Sequence, residues 1–132
     1  MKNNKKIMGV DFGMKRVGIA VSDESRGFAL PLSVIANTPT LLAEILKIAV
    51  DNEVEEIVIG ESRNYKGEPN PIFNDVEIFK KELELKGYKV YLEPEFMTSV
   101  QAKRFQGKHG MLDASAAALI LQSYLDKVKG EQ

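Results

Sequence analysis

The chain predicts an α/β protein built on a five-stranded mixed sheet, three antiparallel meander strands followed by parallel strands, with helices on both faces. Three observations carry this. Apolar runs at 7–12, 17–23 and 28–37 follow one another across turn-sized gaps, the pattern of a meander. The runs at 55–60 and 88–94 alternate with helical patterns, as crossover units of a parallel sheet do. Within "EEIVIG" (55–60), the segment after the two glutamates is apolar throughout, as expected of a strand covered on both sides.

Each element has its own signal. The first strand ends at Asp11 and Phe12, and Gly13 to Arg16 form the turn into the second, "VGIAVSD". Pro31 assigns "FALPLSVIAN" to a sheet edge or a bulge, because proline cannot donate to a ladder. The helix over 38–53 has Thr38 or Thr40 to cap it and Leu41, Leu42, Ile45, Leu46 and Ala49 on one face. Residues 61–71, "ESRNYKGEPNP", read as a long polar loop. Ile72, Val76, Phe79 and Leu83 mark a second helix, which Gly87 ends. A short helix is expected over 98–106, opened by Thr98, and a final amphipathic helix over 113–128, opened by Asp113.

Composition bounds the function. The 132 residues read as one domain, 1–132, with 44% apolar and 28% charged residues, the balance of a folded chain. There is no cysteine, which excludes disulfides and thiolate metal sites. No apolar run spans a membrane, and the first residues carry no signal-peptide core, so a cytoplasmic protein is expected. The net charge of −1 argues against a strongly basic nucleic-acid binder, yet the charge is unevenly spread. Lys15 and Arg16 follow Asp11, and Lys103, Arg104 and Lys108 lie in a stretch without acids between Glu95 and Asp113.

Asp11 interrupts the end of an apolar strand, and a carboxylate there costs several kcal/mol unless it is neutralised. Other strand-end acids are Asp23, Glu61, Glu93 and Glu95, and Asp113 can be brought to the same edge by the last helix. In open α/β sheets ligands gather beyond the carboxyl ends of the strands. Carboxylates from separate elements converging there suit Mg²⁺ or Mn²⁺, and a pair of ions ~4 Å apart clamps both oxygens of an in-line phosphoryl displacement. Asp11, Asp113 and either Glu61 or Glu95 would supply the ligands, with Lys15, Arg16 and Arg63 on substrate phosphates. Each residue also has a plainer role: Asp11 as a turn initiator, Asp113 as a helix cap, Glu61 and Glu95 as loop acids.

The segments "GVDFGMKRVGIAVSD", "ALPLSVI", "EEIVIG", "EFMTSVQAKRF" and "MLDASAAALILQSYLD", in this order over nearly the whole chain, resemble the YqgF family of Holliday-junction-resolvase-like proteins in the RNase H-like superfamily. The resemblance implies an RNase H-like fold and a metal-dependent nuclease acting in maturation of the pre-16S ribosomal RNA, hence in ribosome biogenesis. By position it implies Asp11, Glu95 and Asp113 as catalytic metal ligands, Asp11 bridging two Mg²⁺ or Mn²⁺ ions, and Lys15 and Arg16 facing phosphate. Arg63, Lys103 and Lys108 extend the expected substrate contacts. The expected partner is structured RNA or branched DNA, bound by a monomer or weak homodimer.

Two departures from the family pattern stand out. Phe96 replaces an arginine, removing a bidentate phosphate donor. Glu61 and Ser62 occupy positions of a Leu-Pro pair, so Glu61 is a candidate to join or replace Glu95. Three other functions compete: a four-way DNA junction resolvase, a non-catalytic RNA or ribosome-assembly binder, and a sugar-kinase-like phosphotransferase, which would need a second lobe around its nucleotide.

Overall fold

The computed structural model describes residues 5–63, 73–96 and 111–130. Its elements are β1 (Lys6–Phe12), β2 (Arg16–Ser22), β3 (Ala29–Ala36), α1 (Leu41–Asp51), β4 (Val54–Arg63), α2 (Phe73–Leu85), β5 (Lys89–Phe96) and α3 (Met111–Gly130). The sheet order is β3-β2-β1-β4-β5. The pairs β1–β2 and β2–β3 are antiparallel, and β1–β4 and β4–β5 are parallel. This is the mixed sheet that the meander and crossover signals predict.

Pro31 satisfies both of its expected placements. It lies in β3, an edge strand, and the β2–β3 register steps from Ile19↔Ser33 to Ala20↔Pro31, leaving Leu32 as the extra residue of a bulge. The start of this edge is also tied down from α3: the Ala29 amide donates to Gln122 Oε1 at 2.9 Å, and Gln122 Nε2 donates to the Gly27 carbonyl at 3.1 Å. A proline and a side-chain hook together blunt an edge that otherwise invites pairing.

Two apolar layers sandwich the sheet. On one face Leu41, Ile45 and Ala49 of α1 and Val76, Phe79 and Leu83 of α2 pack on Met8, Val10, Val17, Ile19, Ile57, Ile59 and Val90. The 3.6-residue spacing of these helix positions is what buries them together. On the other face Ala117, Ile120, Leu121 and Leu125 of α3 pack on Ile7, Ala20 and Val58. Helix α2 ends as Gly87 predicts. Gly87 has φ 100°, its amide donates to the Glu84 carbonyl, and the Tyr88 amide reaches the Leu83 carbonyl, the paired bonds of a Schellman stop.

Helix α3 lies unusually close to the sheet because two glycines make room. A Cβ on Gly9 would stand 2.7 Å from Leu121 Cβ and 2.8 Å from the Ala117 carbonyl oxygen, and one on Gly60 would meet Ile120 Cδ1. The helix is also latched at its far end. Glu93, 4% exposed, accepts from Ser123 Oγ at 3.0 Å and pairs with Lys127 Nζ at 2.8 Å. Losing the lysine strands a buried carboxylate on one hydroxyl, whereas losing the carboxylate leaves an ammonium that already reaches water. Lys127→Ala should therefore lower stability by about 1–3 kcal/mol and Glu93→Gln by about 1 kcal/mol or less, read by urea unfolding.

Several boundaries differ from expectation. Strand β4 runs on to Arg63 and β5 to Phe96, so residues 61–63 are paired strand rather than loop: Glu61↔Pro94, Ser62↔Glu95 and Arg63↔Phe96 continue the ladder without a shift. Pairing with a parallel neighbour extends the strands past the point where their apolar patterns stop. Helix α3 begins at Met111, which puts Asp113 inside its first turn rather than at the cap. Thr40 is the residue before α1, but its hydroxyl donates to Glu44 Oε2 at 2.7 Å instead of capping a backbone amide. The short helix expected over 98–106 lies outside the described residues.

Candidate nuclease active site

Strand parity decides which acids share a face. On β1, Val10 belongs to the layer under α1 and α2, while Ile7 and Gly9 face α3. Successive residues alternate, so Asp11 takes the Gly9 side. It is half-buried at the carboxyl end of β1. On β4, Ile57 and Ile59 lie in the α1/α2 layer, and Val58 and Gly60 meet α3. Position 61 thus falls in the Ile57 and Ile59 series, on the face away from Asp11, and position 62 in the α3 series. Glu95 pairs in register with Ser62, two residues beyond Glu93, whose carboxylate bonds Ser123 of α3. By this parity positions 11, 62 and 95 fall in the α3 series and position 61 in the other.

The same ladder brings α3 to this edge. Leu125 packs with Ile7, and Leu121 and Ala117 pack at Gly9, so α3 runs antiparallel to β1 with its N-terminus over the carboxyl ends of the strands. One turn back from Ala117 is Asp113, about 6 Å along the helix axis, and two residues on from Gly9 is Asp11, about 6.6 Å along the strand. Asp113 stands in the first turn of a 20-residue helix.

Two strand-end acids belong elsewhere. Asp23 follows antiparallel β2, which delivers it to the opposite edge of the sheet, and there it holds a turn. Its Oδ1 accepts from the Gly27 and Phe28 amides at 2.9 and 3.1 Å, and Ser25 Oγ donates to Oδ2 at 2.8 Å. The Phe28 amide first, then the Ser25 hydroxyl, hold its carboxyl below the ordinary 3.8. A depressed folded-state pKa contributes stability above the unfolded value that is lost as pH falls through the folded one. Acid unfolding should thus lose a component below pH 3.8 in Asp23→Ala relative to wild type, seen as a shallower pH dependence of melting temperature. Glu93 is the other, consumed by its latch on α3.

Lys15 and Arg16 are exposed at the β1–β2 hairpin tip, with Met14 beside them. The tip is tight: a Cβ at Gly13 would stand 2.5 Å from the Arg16 carbonyl oxygen. Arg63 is the last residue of β4, and Lys103 and Lys108 lie outside the described residues. Among the described residues no three His, Asp or Glu side chains form a metal-holding group, and the side chains of Glu95 and Asp113 lie outside that set. No described helix is long and apolar enough to cross a membrane. Sequence reading did not single out Asn37. Its side chain donates to the Gly13 carbonyl at 2.7 Å and its amide to the Lys15 carbonyl at 2.9 Å, contacts across 22 to 24 residues that no local pattern announces.

Comparisons with known proteins identify the family. The family model described as "RuvX: Holliday junction resolvase" matches residues 5–127. A protein of Chlorobaculum tepidum named "Putative pre-16S rRNA nuclease" is 33% identical over 136 aligned positions, covering 94% of this chain and 95% of its own. One of the same name from Endomicrobium trichonymphae is 35% identical, covering 92% and 95%. Among solved structures, Thermus thermophilus RuvC in complex with Holliday junction substrate superposes with a TM-score of 0.55 at 17% identity, covering 96% of each chain. The Fowlpox virus resolvase bound to Holliday junction DNA gives 0.54 at 11% identity, covering 93% of this chain and 98% of that one. These structural likenesses establish a shared fold with the resolvases. Phosphodiester hydrolysis is the activity class of the family that the sequence matches. With the match spanning nearly every element of the sheet and α3, the chain belongs to the RuvX Holliday junction resolvase family.

Proposed function

We propose that this protein is a metal-dependent nuclease that hydrolyses phosphodiester bonds of the pre-16S ribosomal RNA in the cytoplasm, using Asp11, Glu95 and Asp113. The observation that supports the reading is the carboxyl edge of the sheet: β1 ends there in Asp11, Glu95 pairs there with Ser62, and α3, packed on Gly9 through Ala117 and Leu121, carries Asp113 one turn before Ala117. The substrate is the one in the relatives' names.

The donor set fits a hard divalent cation, being carboxylate oxygens from three elements with no cysteine or described histidine among them. Bound Mg²⁺ or Mn²⁺, two ions in this reading, supplies water activation and neutralises charge on the scissile phosphate. Asp11, at the carboxyl end of the central strand, would be one of the ligands that hold the cation. Lys15 and Arg16 hold the adjoining phosphates, Lys as a mobile point charge and Arg as a planar fork. Glu61, on the opposite face, is left out of the metal site.

The test is incubation of the purified protein with end-labelled pre-16S rRNA fragment, single-stranded RNA and a four-way DNA junction, each with Mn²⁺ or Mg²⁺, beside an Asp11→Asn/Asp113→Asn control. Cleavage of the rRNA precursor that the control lacks supports the reading. Cleavage of the junction alone would make the protein a DNA resolvase, and survival of all three substrates would overturn nuclease activity. Glu61→Gln should retain wild-type cleavage and Glu95→Gln should lose it; the reverse result would return Glu61 to the site.

A further inference from the structure

We infer that Asn37 is a positioning residue for nucleic-acid binding, which locks the β1–β2 hairpin tip so that Lys15 and Arg16 meet a substrate phosphate in one fixed geometry. The inference rests on the nuclease reading above and adds to it a residue that touches neither metal nor substrate.

The tip starts two residues beyond Asp11 and carries Met14, Lys15 and Arg16, all exposed. Left to itself such a tip would sample many positions, and every phosphate contact would have to overcome that entropy. Asn37 removes the freedom at two points. Its main-chain amide donates to the Lys15 carbonyl at 2.9 Å, and Nδ2 donates to the Gly13 carbonyl at 2.7 Å. Asn37 is itself anchored, since the preceding Ala36 pairs with Arg16 across the β2–β3 ladder. The carbonyl oxygens of 13 and 15, whose partial negative charge would oppose a phosphate, are both engaged by these donors. What the tip then offers outward is its cationic side chains.

Asn37 is half-buried beside a 360 Å³ cavity that Phe12, Leu41, Leu42 and Phe79 also line. The same cavity is also lined by Thr38, Asp75 and Glu82; a leucine keeps the branched outline of asparagine, so Asn37→Leu removes the donor without opening a void.

The experiment is a thermodynamic cycle on the full chain with labelled pre-16S rRNA fragment: Asn37→Leu, Lys15→Ala/Arg16→Ala, and the combination, with Asn37→Ala as a second probe. Because one neutral hydrogen bond is lost, KM should rise about 5-fold in Asn37→Leu while kcat and calorimetric Mn²⁺ affinity stay within about 2-fold. In the Lys15→Ala/Arg16→Ala background the same change should add less than about 2-fold, because Asn37 acts through those side chains. An undiminished effect in that background, or a fall in kcat or Mn²⁺ affinity at constant KM, overturns the inference while leaving the nuclease reading intact. A wild-type protein that neither binds nor cleaves the RNA overturns the nuclease reading, and the role of Asn37 falls with it.

Discussion

Asp11→Asn should lower Mn²⁺-dependent cleavage by about 10³-fold or more while leaving the fold at least as stable as wild type. The two halves of this expectation come from one physical situation. Asp11 is a half-buried carboxylate at the carboxyl edge of the central strand, on the face where α3 closes over the sheet. In the proposed site Glu95 and Asp113 share this edge with Asp11, so without cation the loss of one charge lowers their mutual repulsion. If Asp11 holds the cation as proposed, its loss would remove a charged ligand, and the amide that replaces it is a weaker donor. Thermal melts with and without Mn²⁺ separate the effects. Wild type should gain stability as Mn²⁺ is added, since a ligand bound only to the folded state adds to it, and Asp11→Asn should not. Equal stabilisation of both proteins by Mn²⁺ would remove Asp11 from the metal site.

Gly9→Ala should lower the melting temperature by about 5–10 °C and weaken Mn²⁺ binding about 10-fold. The added methyl would sit 2.7 Å from Leu121 Cβ and 2.8 Å from the Ala117 carbonyl oxygen. The carbonyl is helix backbone, so no rotamer change relieves the contact and α3 must retreat as a body. Asp113 rides on that helix one turn from Ala117, so the retreat would carry this proposed ligand away from the sheet as well as loosen the core. Gly60→Ala offers the internal control. Its methyl meets Ile120 Cδ1, a side-chain tip, so adding Ile120→Val, which deletes that carbon, should restore most of the lost stability. Calorimetry with Mn²⁺ and melting curves on the two glycine variants check both points. Full Mn²⁺ affinity in a destabilised Gly9→Ala protein would uncouple the helix position from the site.

Much of the architecture was legible because its causes are local. The 3.6-residue recurrence of Leu41, Ile45 and Ala49 and of Val76, Phe79 and Leu83 put those residues on buried helix faces, as found. Pro31 pointed to an edge and a bulge because its missing donor excludes a central ladder, and Gly87 stopped α2 because a left-handed φ there costs glycine little. The site was less legible. Asp11 could be singled out as an acid ending an apolar strand, but Asp23 and Glu93 ended strands as well. One holds a turn on the opposite edge and the other a latch to α3.

The choice between Glu61 and Glu95 shows where local pattern stopped. With residues 61–71 taken as loop, a glutamate just past the strand next to β1 looked nearer to Asp11 than one on β5. Pairing in register through Arg63↔Phe96 makes both stretches strand, and a strand has two faces. The strand period of two then gives positions 61 and 62 opposite parity, and the register pairs position 62 with 95. Residue order alone thus accounts for the element types, the acid at the end of β1 and the family pattern, since each depends on spacings of a few residues. Which acids share a face, how close α3 lies and what restrains the hairpin tip depend on contacts between residues 20 to more than 100 positions apart, such as Gly9 with Leu121 and Gly13 with Asn37. Those contacts exist only once the sheet has paired and the helix has docked, because register and close packing are properties of the assembled layers rather than of any one segment.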